Sequence, residues 1–577
     1  MLKKLFQFLS QNKKGIIVFL LALFLRTIWL NRFPLGIAHD EINYLLNAKS
    51  IWLTGNFLPL TANALLSWGK TNFDVVISEL PSLVIAPFVG TFNFNLFTAR
   101  FIYALISSFS CLFLFFIVRK LLGEKIAFWA GVALAVNPWS VFFGRTAFEF
   151  NFSLFFYLWG MYLVLTQGGK RIFWALPLFV AGFFSYLGAK LVFLPLIAIL
   201  LLYKYFNDKK DLKKCLIFGA ASLVVFLSYY LTLPYQPAGT RKGELAILNW
   251  ESLSGQVNTE RLHAIQNPFL DVFSNKGISF FRNTANTYIG AFSTLYLFEK
   301  GEVRGAYSLW QHGTFYFIDF FLILLGLVYL FSLNKKAFWL IIAIILISPT
   351  VSAIDLVEVS YAIRSFLMFP FLASLVGIGL YFVVTKFPAR RLSIFLLGSL
   401  YLLSIVNFLY LYFYRYSVYG SEGWFFSERI LAKYLQTAVV YPKISTIYVV
   451  TYEPKIVFEE FLFYGNFYNK KTASQINQKL KEKKFEYEKI VFTDSCPKLQ
   501  GKDVVIISEA KQGCFEKKSG DSAILSLTDA GQIYNISLDP ICTNYTRSQY
   551  YQVGNFQDLE IEKMNEGLFC IKWIGKI

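Results

Sequence analysis

Two adjacent carboxylates, Asp40 and Glu41, follow His39 shortly after the first long apolar segment of the sequence. Neighbouring carboxylates repel each other, so one of the two can have a raised pKa and remove a proton from an acceptor hydroxyl. The same pair could help to hold a divalent cation. A structural role is also open, because Asp40 could cap an interfacial helix whose positive end favours Glu41.

A second polar group begins at Asn137-Pro138-Trp139 and continues to Arg145 and Glu149. Arg145 and Glu149 are four residues apart, a spacing that places two side chains on one face of a helix. The pair is therefore either an ion pair at a helix start or a polar surface that faces a substrate. Spacing alone favours the ion pair.

Two isolated basic residues, Lys190 and Arg364, lie beside apolar segments, and Tyr186 precedes Lys190 by four residues. Each cation could simply anchor a helix at the membrane interface. An ionisable group close to hydrocarbon is costly, however, and is a functional candidate by default. Together, Lys190 and Arg364 could bind a lipid phosphate headgroup, since Arg binds phosphate oxygens in a bidentate manner.

The composition indicates which elements must position these residues. Of the 577 residues, 56% are hydrophobic, 16% are charged and 63 are Phe. A single soluble globule, a disordered chain and a fibrous repeat are excluded, which leaves a polytopic α-helical membrane protein with a soluble appendage. The apolar segments predict eleven spans, at about 15–32, 97–118, 126–143, 147–166, 172–189, 191–206, 215–233, 313–333, 337–354, 363–384 and 392–414.

The net charge of +19 is largely explained by the loops between these spans. Loops of one parity carry most of the Lys and Arg residues, whereas the short loops of the other parity hold Arg145, Lys190 and Arg364. The positive-inside rule therefore places the N-terminus in the cytoplasm and the C-terminus outside, and nucleic acid binding is not required. A crossing at 75–96 would reverse this parity, and the loop charges argue against it.

These spans divide the chain into a transmembrane domain, 1–415, and an extracytoplasmic C-terminal domain, 416–577. Two further extracytoplasmic segments are long: 33–96, which we expect to contain interfacial helices around Leu58–Trp68 and Val75–Val89, and 235–312.

The C-terminal domain has the pattern of a small α/β fold. Ser445–Val450, Lys489–Phe492 and Val504–Ile507 have the pattern of short buried strands, and Thr472–Lys484 that of an exposed helix. Four cysteines lie in this domain. An even number outside the membrane indicates disulfides, and proximity favours Cys496–Cys514 with Cys542–Cys570. Four reduced thiols are the alternative.

The order of these features resembles the GT-C superfamily of polytopic membrane glycosyltransferases, in particular the family 39-like branch related to protein O-mannosyltransferases and the lipid A aminoarabinose transferase. The resemblance covers roughly the first 420 residues. It is carried by five matches in order: Arg26 through Phe33-Pro34, Gly36, Asp40-Glu41 and Tyr44; Pro138-Trp139, Arg145 and Glu149; Tyr186 and Lys190; Phe292-Ser293 and Leu297-Phe298; and Pro349 through Arg364.

The resemblance implies an inverting transfer of a sugar from a polyprenyl-phosphate donor to a hydroxyl acceptor of unknown class. It implies that Asp40 is the catalytic carboxylate, that Glu41 is its partner in the motif, and that Lys190 and Arg364 contact the donor phosphate. Arg145, Glu149 and Tyr186 would contribute to substrate binding.

Two departures concern the phosphate contacts: Ser360-Tyr361 stands where relatives often have His, and Lys190 replaces a frequent Arg. The sequence has no Asp-x-Asp motif, so a divalent cation is left open and no cofactor is predicted. A lipid or sugar transporter is the competing hypothesis. Transporters place charges near the bilayer midplane, often in two matching halves, whereas the charges here lie at the outer rim and no duplicated pattern is found.

Overall fold

The computed structural model describes residues 12–58, 79–207, 211–232, 250–302, 305–354, 360–386, 390–498, 503–515, 522–527, 531–543, 545 and 553–576. Almost all of the interfacial stretch predicted around Leu58–Trp68 lies outside these residues.

The described N-terminal part of the chain is mainly helical, and each of the eleven ranges predicted as spans overlaps with at least one helix. These helices are α1 (Lys13–Thr27), α2 (His39–Thr54), α3 (Glu79–Thr91), α4 (Leu96–Leu122), α5 (Glu124–Val136), α6 (Pro138–Phe143), α7 (Phe150–Thr166), α8 (Ala175–Ser185), α9 (Ala189–Asn207), α10 (Leu212–Thr232), α11 (Trp250–Leu262), α12 (Leu270–Phe273), α13 (Lys276–Gly290), α14 (Phe317–Leu333), α15 (Lys335–Ile347), α16 (Thr350–Ile354), α17 (Met368–Lys386) and α18 (Arg390–Tyr410).

Several of these helices have the length and composition of membrane spans. In the described part of the chain, six helical segments qualify: Leu96–Leu122, Ala189–Asn207, Leu212–Leu231, Lys335–Ile354, Met368–Lys386 and Arg391–Tyr419. Leu80–Thr91, Phe150–Thr166 and Phe317–Leu333 are apolar but shorter. The predicted fold class, a polytopic helical membrane protein with a C-terminal α/β domain, is confirmed. The count of eleven crossings and the cytoplasmic N-terminus stay predictions.

The segment after α1 contains helices α2 and α3. Helix α3 has 13 residues and contains Pro87. It packs against α2, where the Ser82 hydroxyl donates to the backbone oxygen of Tyr44 at 3.1 Å. Residues 75–78 of the alternative crossing at 75–96 lie outside the described part of the chain, and the interfacial position of this segment stays a prediction.

Close helix packing in the membrane part depends on small residues. A Cβ atom at Gly377 would lie 2.3 Å from the backbone of Ala130, and one at Gly379 would lie 2.2 Å from the carbonyl oxygen of Leu322. Helix α17 therefore approaches α5 and α14 backbone to backbone, as small residues allow in membrane bundles. Because α17 is fixed in this way, the turn that precedes it has a defined position.

The C-terminal domain is a mixed seven-stranded sheet with helices beside it. Its strand order is β2-β3-β1-β4-β6-β5-β7, and β1 pairs in parallel with β3 and β4. The strands are β1 (Thr446–Val450), β2 (Glu486–Tyr487), β3 (Ile490–Thr493), β4 (Val504–Glu509), β5 (Ala523–Leu527), β6 (Gly531–Ile536) and β7 (Ile574–Lys576). The helices of this part are α19 (Tyr416–Tyr419), α20 (Phe426–Val439), α21 (Pro454–Tyr464), α22 (Ala473–Lys481) and α23 (Glu566–Trp573).

Strands β1, β3 and β4 and helix α22 confirm the four elements predicted for this domain. The favoured disulfide pairing is also confirmed, since Cys496 is bonded to Cys514 and Cys542 to Cys570.

Candidate functional site

Asp40 lies in the first turn of α2 and is partly exposed. The hydroxyl of Tyr307, from a 3-10 turn that precedes α14, lies 3.5 Å from Oδ2 of Asp40. The ring of Tyr307 packs against Phe148, with 5.6 Å between the ring centroids. A carboxylate at this position can accept a proton at a partly open surface.

The neighbouring Glu41 is in a different environment, because its side chain is fully buried. Its Oε2 lies 2.6 Å from the Arg100 guanidinium, which also donates to Oε1 at 3.1 Å. Both oxygens also accept backbone N–H bonds, from Ala38 at 2.9 Å and from Ala147 at 2.5 Å. Although the two carboxylates are adjacent in sequence, only Asp40 is placed to meet a substrate.

Arg145 and Glu149 lie in the turn between α6 and α7, so the prediction that they share a helix face is wrong. Pro138 begins α6, but this helix ends at Phe143. The Arg145 guanidinium is fully buried and donates to the carbonyl oxygens of Leu25 at 3.0 Å and Phe33 at 3.2 Å. These contacts make Arg145 a link between α1 and the loop that leads to Asp40.

Glu149 joins the acidic and basic parts of the site. The Tyr44 hydroxyl is hydrogen-bonded to its carboxylate, and the charges of Asp40 and Lys190 both act on it. Lys190 lies in the first turn of α9, with Nζ 4.9 Å from the ring centroid of Tyr229. Asp40 and Lys190, from the first turns of α2 and α9, therefore both interact electrostatically with Glu149, from the turn before α7.

Arg364 lies in the turn of residues 361–367 that precedes α17. Glu302 holds this turn from one side, since its Oε2 accepts the backbone N–H groups of Tyr361 and Ala362 at 2.9 Å each. Trp139 holds it from the other side through a 2.8 Å bond from its indole nitrogen to the Ala362 carbonyl oxygen.

A row of aromatic contacts connects this turn with the rest of the site. Phe366 packs against Tyr186 at 5.8 Å and Phe150 at 6.2 Å between ring centroids. Phe150 directly follows Glu149. Within residues 148–150, Phe148 thus packs against Tyr307 beside Asp40, and Glu149 interacts with the charge of Lys190. Phe150 packs against Phe366 in the turn that contains Arg364.

Sequence reasoning missed Tyr307 and Glu302 as members of the site. Both lie in the long segment of about 235–312, and their spacing from residues 40 and 361 contains no signal of contact. Tyr44 was part of the matched motif, although no role was assigned to it. The nearby Leu295–Glu299 turn is π-helical, a local irregularity that is frequent at functional sites.

The C-terminal domain adds buried acids beside His39. The His39 ring stacks on Phe425 with 3.4 Å between centroids, and its Nε2 lies 3.8 Å from Oε1 of the fully buried Glu460. Burial lowers the pKa of His39 to about 4. Burial, together with Glu428 and Glu422, raises the pKa of Glu460 well above its ordinary value. The uncharged forms of both groups are therefore favoured, and the contact is not an ion pair.

The described residues contain no group of three or more His, Cys, Asp or Glu side chains arranged to hold a metal ion.

The sequence matches no protein-family model and no functionally curated protein. Among solved structures, the chain is similar to ArnT from Cupriavidus metallidurans bound to undecaprenyl phosphate, at 11% identity and a TM-score of 0.46, covering 91% of this chain and 97% of that one. It is also similar to the archaeal oligosaccharyltransferase AglB from Archaeoglobus fulgidus in complex with an inhibitory peptide and a dolichol-phosphate, at 12% identity and a TM-score of 0.44, covering 87% and 70%.

Proposed function

We propose that this protein is a membrane glycosyltransferase of the GT-C type, which moves a sugar from a polyprenyl-phosphate donor to a hydroxyl acceptor outside the cytoplasm. The observation that carries the proposal is that the partly exposed Asp40 carboxylate lies beside the Tyr307 hydroxyl and interacts electrostatically with Glu149, as the Lys190 ammonium does. An acid beside a cation at a membrane rim matches the two needs of this reaction, which are a base and a phosphate contact.

In the proposed reaction, the acceptor oxygen attacks the anomeric carbon of the donor while the bond from that carbon to the phosphate oxygen breaks. Asp40 takes the proton of the acceptor hydroxyl, and Tyr307 orients the Asp40 carboxylate. Attack opposite the leaving phosphate inverts the anomeric centre. The leaving group is the polyprenyl phosphate, whose lipid tail stays in the bilayer.

In this proposal the remaining residues either contact the substrates or hold the loops of the site in place. Lys190 and Arg364 stabilise the charge that develops on the leaving phosphate. Glu149 with Tyr44, and Tyr186, line the sugar side. Glu41 and Arg145, both fully buried and hydrogen-bonded to the backbone of neighbouring loops, act as supports and not as substrate contacts.

The decisive experiment incubates the purified full-length protein with a panel of labelled polyprenyl-phosphate sugars and cell-envelope fractions, and scores transfer of label. The expected result is transfer from at least one donor by the wild type and a transfer rate lower by about 10²–10⁴ for Asp40→Asn. Asp271→Asn is the matched control, because this exposed carboxylate lies on the same outer segment as Tyr307.

If the labelled donor instead crosses the membrane of reconstituted vesicles without being cleaved, the transporter alternative is established. If no donor of the panel is either transferred or bound, the proposal is overturned.

A further inference from the structure

The backbone of residues 34–38, directly before His39, is held at every residue. From the membrane part, Arg100 donates to the carbonyl oxygens of Pro34 at 2.8 Å and Gly36 at 2.5 Å. Glu41 accepts the N–H of Ala38 at 2.9 Å. These buried bonds fix one side of the segment.

The C-terminal domain holds the other side. The Arg429 guanidinium donates to the carbonyl oxygen of Leu35, and the Tyr464 hydroxyl accepts the N–H of Ile37 at 2.9 Å. Arg429 and Tyr464 lie on α20 and α21 and are 3% and 7% exposed. They belong to a different part of the chain, 394 and 427 positions from the residues that they bind.

Arg429 is itself held within the domain, since its Nε and Nη2 atoms donate to the two carboxylate oxygens of Glu562 at 2.7 and 2.6 Å. Gly36 packs directly against the backbone of the C-terminal domain, since a Cβ atom at Gly36 would be 1.9 Å from the carbonyl oxygen of Trp424. The fit leaves little freedom for the segment to shift.

We infer that the C-terminal domain is part of the catalytic unit, and that Tyr464 and Arg429 are positioning residues for Asp40. The inference rests on the function proposed above, in which Asp40 is the base. Ile37 is three residues from Asp40, so a shift of the Ile37 amide moves the start of α2. Misplacing a reacting group by about 1 Å can cost on the order of 100-fold in rate.

Tyr464→Phe tests the inference, because it removes a single hydroxyl and keeps the ring. Tyr434→Phe is the matched control. Tyr434 is a fully buried tyrosine of the same domain, and its hydroxyl donates at 3.0 Å to Asp539, within that domain. Two quantities are measured on full-length proteins: sugar transfer, as kcat and donor KM, and hydrogen–deuterium exchange of the peptide that covers residues 34–41.

The expected result is a roughly 10- to 100-fold lower kcat for Tyr464→Phe with an unchanged donor KM, and faster exchange at 34–41. Tyr434→Phe keeps the wild-type values of both. In an Asp40→Asn background, Tyr464→Phe adds no further loss, which a general structural effect would not produce. A kcat within twofold of wild type, or an additive loss in that background, overturns the inference.

Arg429→Lys is the second variant, because it keeps the charge but loses the paired bonds to Glu562. The same fall in kcat at an unchanged melting temperature supports the inference, and wild-type kcat counts against it. If the wild type transfers no sugar from any donor, the proposed function fails, but hydrogen–deuterium exchange still tests whether Tyr464 positions residues 34–41. Faster exchange of that peptide in Tyr464→Phe then supports the positioning role, and unchanged exchange overturns it.

Discussion

The segment before Asp40 and the turn that contains Arg364 are held in different ways. Residues 34–38 are bound by side chains from α2, α4, α20 and α21, so that both the membrane part and the C-terminal domain contribute. The turn of residues 361–367 is bound by Glu302, from the segment before α14, and by Trp139, from α6. Both of these residues belong to the N-terminal part of the chain.

This difference indicates that the proton acceptor and the proposed phosphate contact can be disturbed separately. Under the proposed function, changes around residues 34–41 should act on kcat, because they move the proposed base, Asp40. Changes around residues 361–367 should act on the donor, because they move a headgroup contact. The predictions below test this separation, beginning with the largest expected effect.

Replacing the base should have the largest effect. Asp40→Asn keeps the shape of the side chain but cannot accept the proton, and a well-placed general base contributes about 10²–10⁴ in rate. We expect a loss of kcat of that order with unchanged donor binding and a normal melting temperature, measured by transfer assays and thermal unfolding. Near-wild-type turnover in Asp40→Asn would remove Asp40 from the mechanism.

Replacing the adjacent Glu41 should lower the stability of the folded protein and should not act specifically on the chemical step. Glu41→Gln leaves the fully buried Arg100 without its countercharge, and breaking a buried pair costs about 3–5 kcal/mol. Thermal unfolding in detergent measures this loss, with the exposed Glu299→Gln as control. An unchanged melting temperature combined with abolished transfer would instead return Glu41 to the list of catalytic groups.

Removing the proposed phosphate contact should act on the donor. Arg364→Ala loses charge-assisted hydrogen bonds, each worth about 1.5–3 kcal/mol, so we expect about 10- to 100-fold weaker binding of polyprenyl phosphate. Direct binding to the purified protein provides the measurement. Arg282→Ala, at a partly exposed arginine on the outer helix α13, is the control. Equal affinities for wild type and Arg364→Ala would place the phosphate elsewhere.

Glu302 should influence the donor more weakly, because it acts through the turn. Glu302→Ala leaves two backbone N–H groups without their acceptor, at a cost of about 1–3 kcal/mol. We expect a donor KM raised roughly 5- to 10-fold and a kcat close to wild type. Glu302→Gln keeps an acceptor oxygen and should restore most of the affinity. A fall in kcat alone would contradict the separation of the two regions.

The smallest effect concerns pH. The raised pKa of buried Glu460 means that its uncharged form stabilises the fold. This contribution is complete below the unfolded pKa of about 4.3 and is lost as pH rises through the folded-state pKa. Burial and Glu428 likewise raise the pKa of Glu422 to about 8.

We therefore expect the melting temperature to fall between about pH 6.5, the ordinary pKa of histidine, and about pH 8, and Glu422→Gln to flatten this slope. Melting curves at several pH values test the expectation, and an identical slope in wild type and variant would contradict it.

Much of the fold could be predicted because its signals are local. Apolar length placed helices across all eleven predicted ranges, and short β-branched runs located β1, β3 and β4. A predicted span ended correctly at 143, but the placement of Arg145 and Glu149 in a turn was not predicted, because their four-residue spacing is compatible with both a turn and a helix. The site was harder, since the contact of Tyr307 with Asp40 spans 267 positions and depends on tertiary packing. The support of residues 34–38 by Arg429 and Tyr464 likewise has no local pattern.

The disulfide between Cys542 and Cys570 has a consequence for where this protein can mature. It encloses Glu560 and Glu562. Glu560 binds Arg32 of the loop before Asp40, and Glu562 binds Arg429, which donates to the Leu35 carbonyl oxygen of the same loop. Reduction would release both ends of that stretch. Under the proposed function, folding in an oxidising compartment would thus be a condition for assembling the site, and a thiol reductant would act as an inhibitor without approaching the substrate.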